Sequence, residues 1–219
     1  MKNIVISTLI SIIAILLYSC GNNKIEGTIT YTVAYELPDS LKQYADFLPK
    51  QATVYFKGDS TMSIQPTDQE STTVITNRKT NFMRALLKSA DKKFVVDYDK
   101  AAQVEEQASQ PVYTYTKTAD SKTIAGYATT KYTLKNKATN DIAEAWFTRD
   151  IKIIPNSLTN ILDTTMGVPL AFTIKQNGLV VKTMATAIKF DAVPNGVFNT
   201  PKGYEFLTPQ QFKMMTSGR

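Results

Sequence analysis

Catalytic and metal-binding chemistry call on a few residue types, and this sequence is short of two of them. It holds no His and one Cys in 219 residues. A Ser-His or Cys-His nucleophile pair cannot form, and neither can an imidazole or multi-thiolate metal site. Ser89-Ala90-Asp91-Lys92 has the Ser-x-x-Lys spacing of a nucleophile and its base, but it falls on turn residues without a supporting motif. Asp97, Asp99, Glu105 and Glu106 could offer oxygens to calcium, yet they lack the spacing and the glycine of an EF-hand loop. No phosphate-cradling glycine loop, nucleophile elbow or dinucleotide fingerprint is present. The reading is of a non-catalytic protein with no metal and no cofactor.

The single Cys has a setting of its own. Met1-Lys2-Asn3 is a short positive segment, followed by roughly 14 apolar or hydroxyl residues from Ile4 to Leu17, short of the roughly 20 a membrane-spanning helix needs. This is signal-peptide architecture. Leu17-Tyr18-Ser19-Cys20-Gly21 then resembles a bacterial lipobox: an apolar residue three before the Cys, a small one just before it and Gly after it. The resemblance implies cleavage after residue 19, diacylglyceryl transfer to the Cys20 thiol and a tether over 20–24. Two or three acyl chains, at about 0.8 kcal/mol per buried methylene, hold a domain stably on a membrane. An outer-membrane location is expected, with the periplasmic and surface faces both open.

The net charge of +6 comes from dispersed Lys among Asp and Glu. The nearest cluster, Asn77-Arg78-Lys79, sits on turn residues, so no nucleic-acid partner is expected. Asp39-Ser40-Leu41, Asp59-Ser60-Thr61 and Asp163-Thr164-Thr165 each resemble an O-glycan acceptor pattern, but Asp-Ser/Thr at turns and helix starts is ordinary capping chemistry, and capping is the favoured reading.

The elements that would position a site are strands. From Ile25 to Leu37 the residues alternate between apolar and polar or small, the strongest periodic signal in the chain. Similar runs cover 52–57, 61–65, 71–76, 81–87, 93–98, 112–117, 123–134, 142–149, 170–175 and 179–190, giving about eleven strands. Lys57-Gly58-Asp59-Ser60, Ala90-Asp91-Lys92 and Gln176-Asn177-Gly178 are hairpin turns. Residues 38–49, with Asp39 or Ser40 as cap, and 156–163 carry helical spacing, while 100–110 is a short helix or a mobile loop. One domain over 25–219 is expected. Its fold class is mainly β, an antiparallel, half-open and unclosed barrel with two or three short helices in or over the concavity; a sandwich would give the same alternation. Ile29, Tyr31, Val33, Val54, Phe56, Met62, Ile64 and Phe172 are the expected lining of that concavity, if it is not simply a filled core.

Five segments carry a resemblance: Pro49-Lys50-Gln51-Ala52-Thr53-Val54-Tyr55-Phe56-Lys57-Gly58-Asp59, Lys122-Thr123-Ile124-Ala125-Gly126-Tyr127, Ala145-Trp146-Phe147-Thr148-Arg149-Asp150-Ile151, Gly167-Val168-Pro169-Leu170, and Val197-Phe198-Asn199-Thr200-Pro201-Lys202-Gly203-Tyr204. In this order they resemble a domain-of-unknown-function family of Gram-negative envelope lipoproteins, across most of 25–212. That family is similar in turn to the LolA/LolB-like lipoprotein carriers, which implies a half-open barrel sheltering acyl chains. The carrier itself is unlipidated, whereas this chain has Cys20. The resemblance therefore implies an anchored protein with a hydrophobic or amphipathic ligand rather than a direct part in lipoprotein sorting. The alternative is a structural or adaptor lipoprotein with a filled core that meets a partner protein through its outer face.

Overall fold

The computed structural model describes residues 25–176 and 178–217. The expected signal segment and tether, with Cys20, and Asn177 of the expected turn lie outside them.

Alternation becomes geometry in β1 (Glu26–Glu36), where Ile29, Tyr31 and Val33 are buried and the intervening threonines are less so. Hairpins extend the sheet on one side through β2 (Gln51–Lys57), β3 (Ser60–Pro66), β4 (Glu70–Asn77), β5 (Phe82–Ser89) and β6 (Lys92–Tyr98). The second half comprises β7 (Tyr113–Ile124), β8 (Tyr127–Asn136), β9 (Ile142–Thr148), β10 (Val168–Gln176) and β11 (Leu179–Lys189), which returns to pair with β1. A short β12 (Glu205–Leu207) adds in parallel to β6, the other pairings being antiparallel. The result is a single sheet of twelve strands, ordered β12-β6-β5-β4-β3-β2-β1-β11-β10-β9-β8-β7. Its ends do not pair, so the barrel is unclosed.

The expected strand over 123–134 is two strands. Ala125 and Gly126, both at positive φ, form a tight turn between Ile124 and Tyr127, the twist that suits a two-residue hairpin. β12 was not expected: its three residues pair on one edge and have no alternation to read. β7 is the opposite edge. Its exposed Lys117, Asp120 and Lys122 discourage strand addition there.

Besides a single 3-10 turn at Thr164–Met166, three longer helical pieces among the described residues attend the sheet. Residues Asp39–Phe47 form a 3-10 helix behind Pro38, with no side-chain cap, where Asp39 or Ser40 was the expected cap. Helix α1 (Lys100–Ala108) resolves the open choice for 100–110; Asp99 caps it by accepting from the Ala102 N–H at 2.8 Å. Helix α2 (Pro209–Ser217) ends the described chain and is tied to α1 by the Lys213–Glu105 ion pair. Residues 156–163, expected to be helical, are instead successive turns. The Asn156 side chain accepts from the Leu158 N–H at 3.0 Å and Thr159 Oγ1 accepts from the Asn156 N–H at 3.0 Å, side-chain bonds that compete with helix.

Two clusters fill much of the interior. Ile29, Tyr31, Val54 and Phe56 pack with Ile151 and Leu170. Leu134, Ala145, Phe147 and Phe172 pack with Leu162. The long β9–β10 connection thus plugs one part of the barrel, with Ile151, Asn156, Thr159 and Leu162 all buried. A third cluster, Met62, Ile75, Leu86 and Val95, lies on the outer face under Val197, Phe198 and Tyr204 of the segment that leads to β12.

Candidate functional site

The plug leaves a cavity of about 1010 Å³ between itself, the inner face of β4, β5, β10 and β11, and α1. Val33, Val74, Met83, Phe172, Ile174 and Val181 form an apolar floor. Each belongs to one face of its strand: Val33 opposes Thr183, Tyr35 opposes Val181, and Val181 opposes Ile174. Polar groups surround this floor. Gln103, Glu106 and Gln107 come from α1, and Asn77, Arg78 and Asn81 from the β4–β5 turn. Helix α1 lies on the route from β6, the strand next to the β12 edge, to β7, the opposite edge, and buries none of its residues. Gln103 latches it by donating from Nε2 to the carbonyls of Asn81 and Tyr98, both at 2.8 Å.

Several lining side chains hold unused hydrogen-bonding capacity. Tyr113 Oη and Ser157 Oγ are buried and have no hydrogen-bond partner. Tyr115 Oη accepts from the Asp163 N–H at 2.8 Å, leaving its own proton available. Burial pushes the Tyr113 and Tyr115 phenols up, so both are protonated donors at neutral pH. A smaller cavity of about 270 Å³, bounded by Lys117, Thr129, Tyr132, Phe147 and Arg149, lies by the start of the β9–β10 connection.

Of the eight residues expected to line the concavity, Val33 and Phe172 do so. Ile29, Tyr31, Val54 and Phe56 turn to the same inner face, but the plug packs against them, and they belong to a close-packed core. Met62 and Ile64 are on the other face. Val54 and Phe56 pair across the hairpin with Ser63 and Thr61, so the inward positions of β3 carry hydroxyls while Met62 and Ile64 oppose Tyr55 and Thr53. Apolar alternation misreads β3 because both faces there are covered. Thr61, fully buried, meets its need by a 2.7 Å bond with Thr76 Oγ1.

The floor residues Val74, Met83, Ile174 and Val181 and the polar wall from α1 were not anticipated. A usable signal existed: the strandless stretch after β9 is long for a connection in a compact domain, and such stretches are often functional.

The other sequence candidates take structural roles. Ser89 and Lys92 oppose each other across the β5–β6 turn, and Ser89 Oγ donates to Glu70 at 2.7 Å. Asp97 pairs with Arg84, Asp99 caps α1, and Glu105 pairs with Lys213. Among the described residues no group of three or more His, Cys, Asp or Glu is placed to hold a metal. Asp163 acts as a cap, accepting from the Thr165 N–H at 2.9 Å.

Fold and cavity together define a mainly β, unclosed barrel with a plugged interior and a sizeable concavity. The chain belongs to the family of the domain of unknown function DUF4412, whose model matches residues 40–154. No curated protein matches it. Among solved structures it is similar to one described as "Structure of PNGF-II in C2 space group", with a TM-score of 0.53 and 18% identity over 87% of this chain and 32% of that one. The chain thus spans about a third of that protein's length, and at this identity the likeness is one of fold.

Proposed function

We propose that this is a lipid-anchored envelope protein, held to the outer membrane through acyl chains on Cys20, that binds a hydrophobic or amphipathic ligand in its concavity without catalysis. The observation that carries the reading is the cavity of about 1010 Å³ with an apolar floor and a rim of amides and phenols. Its size is at the upper end of small-molecule sites, and the segregation of apolar and hydrogen-bonding groups fits a ligand with a tail and a polar head. The LolA/LolB-like resemblance, noted from sequence, agrees with a barrel that shelters acyl chains. The lipobox supplies the anchor.

One observation favours the second reading, a structural or adaptor lipoprotein: the plug fills the part of the barrel floored by Ile29, Tyr31, Val54 and Phe56. Under that reading the remaining concavity is incidental, and a partner protein is met by the outer face.

The test is native mass spectrometry with lipid extraction on residues 21–219, which retain every strand, purified from a membrane-containing host. A co-purifying acyl species is expected. It should be lost in Val74→Glu and Val181→Glu, which place a charge on the half-buried floor. Phe56→Asp is unsuitable, since Phe56 packs edge-on to Phe190 within the core, ring centroids 5.6 Å apart. A ligand-free mass together with no uptake of a fluorescent fatty acid would sink the binding reading in favour of the adaptor.

A further inference from the structure

Strand register sets which end of the barrel faces the anchor. Glu26, the first residue of β1, opposes Lys57; Lys57 opposes Ser60, Ser60 opposes Asn77, and Asn77 opposes Phe82. The β4–β5 turn that holds Asn77, Arg78, Asn81 and Phe82 is therefore at the same end as the start of β1. Those four residues are on the cavity lining, and Gln103 of α1 is latched to Asn81 beside them. The cavity thus reaches the end of the barrel from which the tether leaves.

The tether is short. From Cys20 to Glu26 the chain spans roughly 20 Å at full extension, while β1 itself rises about 33 Å from Glu26 to Glu36. An acylated Cys20 keeps the Asn77–Phe82 end close to the bilayer and leaves the 3-10 helix after Glu36, with its exposed Tyr44 and Phe47, at the far end. Charge agrees with this orientation. Arg78 and Lys79 are exposed at the turn tip and make no ion pair among the described residues, whereas Lys57 nearby is held by Glu26 at 2.7 Å. Asp59, in the adjacent turn, offsets one of these charges. Exposed Ile25 and partly exposed Phe82 add apolar surface at the same end.

We propose that the concavity loads from the bilayer that carries the anchor, through a portal between the β4–β5 turn and α1, with Arg78 and Lys79 meeting anionic lipid headgroups. This rests on the ligand-binding and lipid-anchor readings above, and it names the ligand source as membrane lipid.

The experiment uses the full lipidated chain in phosphatidylcholine vesicles with and without phosphatidylglycerol. Acylation consumes the Cys20 thiol, so a fluorophore can be placed on Lys79→Cys or, at the far end, on Tyr44→Cys. A headgroup-region quencher should quench the label at 79 and spare the one at 44. Transfer of a fluorescent lysophospholipid from phosphatidylglycerol vesicles should slow by about tenfold or more in Arg78→Glu/Lys79→Glu and stay unchanged in Tyr44→Glu. Equal quenching at both positions, or stronger quenching at 44, would overturn the orientation. Transfer insensitive to the double charge reversal would overturn the portal. If label 79 is quenched but no variant takes up lipid, loading fails together with the binding reading, while the orientation stands.

Discussion

Two side chains translate pH into stability in opposite directions. Tyr31 is fully buried under the plug, and burial pushes its phenol well above the usual value of 10. The Asn156 side chain offsets a little of this, although the pair has no hydrogen bond of normal geometry. With the folded value raised, the stability it confers is fully present below pH 10 and is lost as pH rises beyond it, because the unfolded chain ionises first. Tyr31→Phe should change stability by less than about 1 kcal/mol at pH 7, there being no good bond to lose. Near pH 11 it should be more stable than the parent in urea titrations; equal alkaline sensitivity would show that other groups govern that limb. Glu26 works in the acid range. Hydrogen bonds from Lys57 and from the Val193 N–H hold its carboxyl below 4.5, so its contribution is present above that value and is lost as pH falls through the lowered one. Protection of the Val193 amide, taken relative to its intrinsic exchange rate at each pH, should therefore fall in acid before the sheet opens, and Glu26→Gln should show the lower protection at neutral pH as well.

At the scale of elements, the 190–208 segment, which straps the outer face through Val197, Phe198 and Tyr204, depends on one arginine. Arg84 of β5 forms a two-pronged pair with Asp97 of β6, donates to Thr200 Oγ1 at 2.6 Å, and lies between the rings of Phe82 and Phe206, 5.2 and 5.7 Å from their centroids. It joins two strands, the strap and β12. Arg84→Ala should cost about 1–2 kcal/mol and raise hydrogen exchange at Glu205–Leu207 more than in β1. A uniform rise would mean that β12 has no local stability to lose. Arg84→Lys should restore the charge but little of the β12 protection, since an ammonium cannot make the planar two-pronged contact. None of this was legible beforehand. Asp97 and Arg84 are separated by a hairpin, and β12 is too short for any period to register. What alternation did show was which residues share a face: Ile29 with Tyr31 and Val33, Val54 with Phe56. Which side of β3 is inward, and what the β9–β10 stretch does, depend on pairing across turns and on packing between distant segments. A single sequence leaves both unstated.

For the molecule as a whole, an unclosed barrel has more apolar surface to cover than a closed one, and this chain covers it from both sides. The plug lies against the inner face and the 190–208 segment against the outer, so β3 and β6 have buried residues on two faces, Thr61, Ser63 and Val96 inward and Met62 and Val95 outward, while β4 and β5 bury Ile75 and Leu86 on the outer face. That double cover explains why the cavity sits where it does. The plug reaches Tyr31 and Phe172 but not the inner face of β4 and β5, and α1 bridges what is left. It also separates the two faces of the sheet, since among the described residues the cavity lining comes from Val33 to Thr183 and the outer cover from the chain after Phe190. A chain ending at Phe190 should keep β1 to β11 and the concavity, yet expose the Met62–Val95 patch and leave β6 as a bare edge. We expect it to bind anilinonaphthalene sulfonate, to melt lower than the full chain and to associate with time, while the far-ultraviolet dichroism of the sheet persists. Replacing Met62 and Leu86 by Thr in that truncated chain should suppress the dye signal and the association. If the truncated chain instead loses its sheet dichroism outright, the strap is part of the folding unit itself, and the two covers act as one.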